Sequence, residues 1–247
     1  MGGLFLQAAL NGARRPGDHD ALPLTPEALA RDAEAVVAVG ARALHVHPRD
    51  DDGSESLEPA ACDAAVAALR DAVPDAEVSL TTGLWITGGD AARRLECVRG
   101  WSELPDVVSL NVGEEGWREL GELLAERGVW IEIGLSAPGH PGELAQSGLA
   151  SRCRRALVEP QESAPNIAVT TAGAIDGGLE REGIELPQLH HGTDLTTWAV
   201  LDAAHRRERE LRIGLEDTYA LPDARRAASN EELVAAAAER YGISPSG

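Results

Sequence analysis

The chain has 247 residues, 43% of them hydrophobic, and its 41 acidic and 22 basic side chains give a formal net charge of −19. A chain of this size and composition can bury a large core, so we expect a single domain over residues 1–247 and exclude a disordered or fibrous protein. The negative charge argues against nucleic acid as a partner, because phosphate binding needs a basic surface.

The cysteines and the N-terminus bear on where the protein works. Cys62, Cys97 and Cys153 lie far apart and form no Cys-x-x-Cys pair, so we expect neither a disulfide framework nor a zinc knuckle. The first residues show neither an export signal nor a myristoylation pattern. We therefore expect a cytoplasmic protein with no membrane partner.

Strand-like and helix-like runs alternate along the chain. The predicted strands cover residues 4–11, 43–47, 78–82, 107–113, 130–135, 156–159, 187–192 and 211–216. The predicted helices cover residues 26–39, 59–72, 91–100, 117–127, a segment around 143–146, 167–182, 196–210 and 231–241. Eight such units in about 250 residues predict an α/β fold of the (β/α)8 TIM barrel type. A doubly wound sheet is disfavoured because no Gly-rich turn follows the first strand.

The C-terminal helix, residues 231–241, follows the last predicted strand. We expect it to pack over the end of the barrel or against a neighbouring subunit. Ser229 and Glu232 before and within it form the sequence pattern of a capping box.

Side chains along a strand alternate between its two faces, so each strand can be sorted with a period of two. In the second strand Leu44 and Val46 oppose His45 and His47, and six of the eight strands share this arrangement of apolar and polar faces. The apolar set is expected to face the helices and the polar set the barrel axis. Unpaired burial of polar groups costs several kcal/mol, so a polar interior indicates a functional site. The pattern leaves three side chains unassigned: Glu159, His190 and His191.

The pair His45 and His47 places two imidazoles about 6.6–7 Å apart along one strand face, and both can converge on one ion. Glu216 can supply a third ligand, because barrel closure puts its strand next but one to the second. Two histidines and one carboxylate leave an open coordination position, as in catalytic zinc sites. An isolated His-x-His pair is as compatible with a structural role, but Arg212 on the same face as Glu216 favours the metal.

Five segments carry a specific combination of residues. They are LPLTPE at 22–27, ALHVHPRD at 43–50, TTG at 81–83, LHHG at 189–192 and RIGLEDT at 212–218. With these segments the chain resembles the β-keto acid cleavage enzymes over nearly its whole length. The second and last segments together are highly specific, whereas the others alone are weak signals.

The resemblance implies a (β/α)8 barrel with a divalent metal, usually Zn2+, bound by His45, His47 and Glu216. It also implies that a β-keto acid and acetyl-CoA are converted to acetoacetate and a new CoA thioester. In that reaction the metal chelates the keto acid, and the C2 carbanion attacks the thioester as an enolate. Family precedent further implies a homo-oligomer, a tetramer.

Catalytic and substrate-binding residues follow from the same resemblance. Asp217 with Arg212 matches the acid/base pair, which agrees with the ability of a carboxylate beside a fixed guanidinium to act as a base. Glu132 matches an acidic active-site residue. Thr81 and Asn111 match positions that contact the substrate or an intermediate.

Two further residues are candidates for substrate binding. Arg49 lies just beyond the second strand at the catalytic face, where it could bind a CoA phosphate. His191 could reach the substrate, although a structural role fits it equally well.

The chain departs from the better-known family members, since it is shorter and Thr82-Gly83-Leu84 lacks a second glycine after the third strand. This places it in a compact branch whose keto acid the sequence does not identify. Selectivity for the distal part of the substrate is expected from a few side chains: Trp85, Glu114, Glu115 and the loop 136–140.

Two other classes of function fit part of the pattern. An amidohydrolase-like hydrolase or lyase also uses His-x-His and a carboxylate after the last strand of a TIM barrel. Such enzymes usually carry further histidines on the fifth and sixth strands, where this chain has Glu132 and no histidine. A non-catalytic barrel predicts no turnover and weak metal retention.

Overall fold

A computed structural model describes residues 4–244 and shows eight parallel strands that close into a barrel in sequence order. They are β1 (Leu6–Ala9), β2 (Ala43–Val46), β3 (Glu77–Leu80), β4 (Val107–Asn111), β5 (Trp130–Leu135), β6 (Cys153–Val158), β7 (Gln188–His190) and β8 (Glu210–Ile213). Pairing of β1 with β8, with Gln7 opposite Arg212, completes the ring. The predicted (β/α)8 barrel is confirmed.

Eight helices surround the barrel. They are α1 (Pro26–Ala38), α2 (Pro59–Ala72), α3 (Ala91–Gly100), α4 (Trp117–Glu126), α5 (His140–Ser147), α6 (Pro165–Arg181), α7 (Thr197–His205) and α8 (Asn230–Tyr241). Local sequence explains why α1 begins where it does: Thr25 Oγ1 accepts a hydrogen bond from the backbone amide of Ala28, and Pro26 occupies the first turn. Within residues 4–244, no helix has the length and apolar character needed to cross a membrane.

Of the two positions expected for the C-terminal helix, the one over the barrel end is wrong. Helix α8 packs beside α1 and contacts β1 and β8, so it is the eighth member of the outer ring and does not cover a barrel end. Asn230 at its start fixes this position, because its side chain donates to the Leu10 carbonyl at 2.8 Å and accepts from the Leu215 amide at 2.7 Å.

The strand faces follow the predicted alternation. Leu44 and Val46 belong to the hydrophobic core between barrel and helices, whereas His45 is buried on the opposite face. The core lies mainly in this layer between strands and helices, so the barrel interior is left to polar side chains.

A buried ionic cluster fills the N-terminal end of the barrel interior. Strand β6 begins three residues earlier than predicted, and this brings Arg155 inside. The Arg155 guanidinium lies 2.6 Å from Glu77, 2.9 Å from Glu132 and 3.4 Å from Glu210. Because this end is closed by paired charges, the open polar face lies at the C-terminal end of the strands.

Candidate metal centre and active site

A cavity of about 320 Å³ opens at the C-terminal ends of the strands, where TIM-barrel enzymes hold their active sites. Eight of the predicted catalytic, substrate-binding and metal-binding residues line it: His45, His47, Thr81, Asn111, His191, Arg212, Glu216 and Asp217. The wall also contains Ala13, Arg14, Trp85, Ser109, Leu157, Glu159, Gln161 and Thr193. The structure therefore collects side chains from distant parts of the sequence around one small volume.

Two imidazoles and one carboxylate converge in this cavity. The Nε2 atoms of His45 and His47 are 3.2 Å apart, and Glu216 places its two oxygens 3.6 Å from His47 Nε2 and 3.9 Å from His45 Nε2. A tetrahedral ion with ligand bonds of about 2.0–2.1 Å separates neighbouring ligand atoms by roughly 3.3–3.4 Å. The donor types and spacings therefore fit a zinc ion with one coordination position left for a substrate.

The second ring nitrogen of each histidine has its own partner. His45 Nδ1 lies 3.1 Å from Ser79 Oγ, and His47 Nδ1 lies 2.6 Å from Glu55 Oε1. Asn11 accepts from the His47 backbone amide at 2.8 Å. Such contacts fix the ring orientation and the tautomer of a metal-ligating histidine, so both Nε2 atoms are held toward the common point.

Two glycines make room for the carboxylates and the amide of the site. Gly12 has a positive φ of 54°, and a Cβ there would overlap the side chain of Glu216. A Cβ at Gly134 would collide with Asn111 Oδ1 and Glu159 Oε1. Glycine is needed at both positions because these side chains fill the space that a larger residue would occupy.

The charges around the candidate metal-binding triad, His45, His47 and Glu216, favour the ionised form of the Glu216 carboxylate. Burial opposes ionisation of Glu216, but Arg212 and His47 outweigh it and hold its pKa well below the usual value. Burial lowers the pKa of His45 well below its usual value, so this imidazole is neutral at neutral pH. A neutral nitrogen and a carboxylate anion are the forms that bind a metal.

A second group of side chains lies beside the triad. Asp217 Oδ1 is 3.2 Å from Arg212 Nη2 and 2.9 Å from His191 Nδ1, and His191 Nε2 is 3.5 Å from Glu159 Oε2. Burial and Arg212 oppose protonation of His191, yet Asp217 and Glu159 outweigh them and raise its pKa to about 9. Asp217 Oδ2 is buried without a hydrogen-bond partner among residues 4–244. That oxygen is therefore free to accept a hydrogen bond or a proton.

The structure also settles the three orientations that the sequence left open. Glu159 and His191 line the cavity. His190 points the other way, toward the helix layer, where its Nε2 lies 3.1 Å from Gln188 Oε1 and Gln188 in turn donates to Asp176 of α6 at 2.7 Å.

Two predicted site residues do not reach the cavity wall. Glu132 lies deeper in the barrel, where Gln7 Nε2 donates to it at 3.0 Å and Arg155 pairs with it at 2.9 Å. Arg49 donates to the backbone carbonyls of Gly12 and Arg14, the latter at 3.0 Å, and so binds the β1–α1 loop instead of facing the cavity. In both cases a nearer partner in the protein takes the side chain.

Some of the residues expected to select the distal part of the substrate line the cavity and others do not. Trp85 lines the cavity, and its Nε1 donates to Glu55 at 3.1 Å. Glu114 and Glu115 are not among the lining residues, and neither is the loop 136–140. The carboxylate of Glu114 pairs with the buried guanidinium of Arg94, so it is not free to meet a cationic substrate.

Two residues of the site gave no sequence signal that identified their roles. Glu55 lies in the β2–α2 loop, eight positions after His47, and no fixed spacing links a loop residue to a ligand. Arg14 lies in the β1–α1 loop and reaches the segment that follows the neighbouring strand β8, where Nε donates to the Glu216 carbonyl at 3.1 Å. A loop at the C-terminal end of a strand is a favoured place for functional residues, but its conformation decides which ones converge.

Sequence relatives cover part of the chain. The profile of the family described as beta-keto acid cleavage enzyme matches residues 4–156. A 3-keto-5-aminohexanoate cleavage enzyme from Fusobacterium nucleatum subsp. nucleatum is 30% identical over 144 residues, 53% of this chain and 52% of that protein. The enzyme of the same name from Acetoanaerobium sticklandii is 33% identical over 111 residues, 44% of this chain and 39% of that protein. The chain thus spans about half the length of the curated relatives that it matches.

Solved structures share the fold at low sequence identity. The apo structure of ObcA superimposes with a TM-score of 0.71 at 17% identity, covering 89% of this chain and 61% of that one. A ternary complex of ObcA with a C4-CoA adduct and oxalate gives a TM-score of 0.69 at 17% identity, covering 89% and 63%. At this identity the likeness shows the fold alone.

The family match covers only part of the candidate site. Residues 4–156 contain His45 and His47, whereas Arg212, Glu216 and Asp217 lie beyond the matched range. The assignment of Glu216 to the candidate metal site therefore rests on its position in the cavity. Because the matched range covers well over half of the chain, this protein belongs to the beta-keto acid cleavage enzyme family.

Proposed function

We propose that this chain is a zinc-dependent enzyme that converts a β-keto acid and acetyl-CoA to acetoacetate and a new CoA thioester. The observation that carries the proposal is one cavity in which His45, His47 and Glu216 converge beside the free Oδ2 of Asp217. The names of the curated relatives support cleavage of a β-keto acid. ObcA, which shares the fold, has been seen with a C4-CoA adduct, and this agrees with a CoA compound as the second substrate.

The proposed reaction exchanges two acyl groups between carbon and sulfur. The C2–C3 bond of the keto acid and the C–S bond of acetyl-CoA break. C2 becomes bonded to the acetyl carbon, which gives acetoacetate, and the former C3 acyl group becomes bonded to the CoA sulfur. No oxidant, reductant or water is consumed.

A divalent metal held by His45, His47 and Glu216 would polarise the carbonyl of the keto acid and so ease loss of a proton from C2. Asp217 accepts that proton at Oδ2, because Oδ1 is already engaged by Arg212 and His191. These two side chains fix the carboxylate in position.

Residues around the centre are proposed to orient the substrate. Thr81 and Asn111 offer a hydroxyl and an amide from the cavity wall. Glu132 acts from below as a positioning residue, because its negative charge adds to those of Glu216 and Asp217 in raising the pKa of Arg212 against the effect of burial.

The hydrolytic alternative finds less support in the cavity. Strands β5 and β6 of the amidohydrolase arrangement carry metal-ligating histidines. In this chain β6 and the residue after it bring Leu157 and Glu159 to the wall, and β5 brings no side chain to it.

The test is formation of acetoacetate from acetyl-CoA with a panel of β-keto acids, using zinc-loaded wild type and Glu216→Ala. We expect acetoacetate with at least one acid, abolished by a chelator and reduced at least 100-fold in the variant. Zinc bound at one ion per chain without acetoacetate from any acid would contradict the proposal.

A further inference from the structure

Arg14 is a cationic side chain on the cavity wall with a rigid setting. Its guanidinium carbon lies 4.5 Å from the centre of the Tyr219 ring. Nε donates to the carbonyls of Leu215 at 3.2 Å and Glu216 at 3.1 Å, and Nη2 pairs with Asp194 at 2.7 Å. The stacked ring and the two carbonyls hold the plane of the guanidinium in one orientation.

The two arginines on the cavity wall differ in the burial of their ion pairs. Arg212 is buried and pairs with two carboxylates of the site, Glu216 and Asp217. The counterion of Arg14 is Asp194, whose side chain is 59% exposed. An exposed ion pair contributes only about 0–1 kcal/mol, so an entering anion can replace Asp194 at little cost.

The guanidinium of Arg14 has a nitrogen that can donate hydrogen bonds to such an anion. Within residues 4–244 its hydrogen bonds come from Nε and Nη2, and Nη1 makes none. If Asp194 moved away, Nη1 and Nη2 together would present the two-pronged edge that matches a carboxylate.

The position of Arg14 limits the length of the molecule that can reach both sites. Arg14 contacts the backbone oxygen of Glu216, whose side-chain carboxylate belongs to the metal-binding triad. The 3.1 Å contact and one glutamate side chain, roughly 5–7 Å long by ordinary bond lengths, therefore place Arg14 Nε at most about 10 Å from that carboxylate. A β-keto acid of five or six carbons spans such a distance.

We propose that the substrate is a β-keto acid with a second, distal carboxylate, and that Arg14 binds this carboxylate in place of Asp194. The inference rests on the proposed function for the β-keto acid end of the molecule. The product formed beside acetoacetate is then the CoA thioester of a dicarboxylic acid.

The test compares 3-oxoadipate with 3-oxohexanoate, which has the same chain length but a neutral end. Binding to the zinc-loaded protein is measured by calorimetry without acetyl-CoA, and turnover is measured with it. We expect wild type to bind the diacid at least 10-fold more tightly. Arg14→Ala should remove this preference while changing the affinity for 3-oxohexanoate and for zinc less than 3-fold.

A second variant separates recognition from damage to the fold. Asp194→Asn removes the competing charge, so we expect it to bind 3-oxoadipate several-fold more tightly than wild type does. A gain of affinity for one ligand alone does not arise from a disturbed loop.

Three outcomes would overturn the inference. One is equal binding of the diacid and the neutral acid by wild type, even if one of them is turned over. Another is a loss of 3-oxohexanoate binding in Arg14→Ala equal to that of the diacid. The third is a rise in the KM of Arg14→Ala for acetyl-CoA with its affinity for the diacid unchanged, which would assign Arg14 to a CoA phosphate. Binding is measured without turnover, so failure of the proposed reaction is distinguished from failure of this inference.

Discussion

Glu55→Gln tests whether the groups behind the metal-binding triad contribute to metal affinity. Glu55 Oε1 lies 2.6 Å from His47 Nδ1, and both Glu216 and Glu55 raise the pKa of His47 against the effect of burial. A carboxylate in this position fixes the ring and makes the opposite nitrogen a better donor. Glutamine keeps the size and an acceptor oxygen but removes the charge.

The expected size of the effect follows from this contact. Loss of such an outer partner weakens metal binding about 10–100-fold, or about 1.4–2.7 kcal/mol. Ser79→Ala is the matched control at His45, where a neutral hydroxyl at 3.1 Å should contribute less than the charged contact of Glu55.

The assay is competition for zinc with a chelator of known affinity at pH 7.5, with unfolding by denaturant measured in parallel. We expect Glu55→Gln to bind zinc at least 10-fold more weakly and Ser79→Ala to show a smaller loss. Zinc affinity in Glu55→Gln equal to that of wild type, with the fold intact, would refute the reasoning.

Three further predictions concern catalysis and stability. Asp217→Asn should lower kcat about 100- to 10,000-fold while zinc stays bound, as measured by acetoacetate formation and metal content. Burial raises the pKa of Asp32 to about 7 despite the 2.6 Å hydrogen bond from Asn230, so the folded protein holds a proton that the unfolded chain loses above about pH 4. The contribution of this group to the free energy of unfolding should therefore fall as pH rises from about 4 to 7. In denaturant unfolding, the free energy of unfolding of Asp32→Asn relative to wild type should rise by about 1–2 kcal/mol from pH 5 to pH 7. A relative free energy of unfolding that does not change with pH would contradict this assignment. Arg155→Met should destabilise the fold by about 3–5 kcal/mol in the same assay, because it removes the cationic partner of Glu132 and Glu210, and a change below 1 kcal/mol would show that these charges find other partners.

The convergence of His45, His47 and Glu216 could be predicted largely from alternation and barrel closure. His45 and His47 share a strand face by the period of two, and closure of the ring brings Glu216 close to them. The strand face of the two histidines needs no loop conformation, but Glu216 lies three residues beyond the end of β8, so its arrival at the site also depends on the turn there.

The depth at which an inward-pointing side chain lies along the barrel axis could not be predicted in the same way. Alternation indicates that Glu132 points inward, but its height in the barrel depends on strand stagger and on its partner Arg155. The β5–β6 pairing shifts register at this point, so Arg154 is passed over and Arg155 lies opposite Glu132. An irregularity of this kind leaves no period in the sequence.

Loop residues escaped prediction for a related reason. Glu55, Arg14 and Arg49 all follow strands at the catalytic end, so their place near the site was plausible. Which of them points into the cavity is decided by loop conformation: Arg49 turns to backbone carbonyls, whereas Arg14 reaches the wall.

The most direct test of the account is a zinc titration of the metal-free protein, with acetoacetate formation from acetyl-CoA and a turned-over β-keto acid as the readout. We expect activity to rise linearly and to stop at one zinc per chain, and His47→Ala to show neither tight zinc binding nor activity. Full activity before zinc is added, or a variant that retains the stoichiometric response, would contradict it.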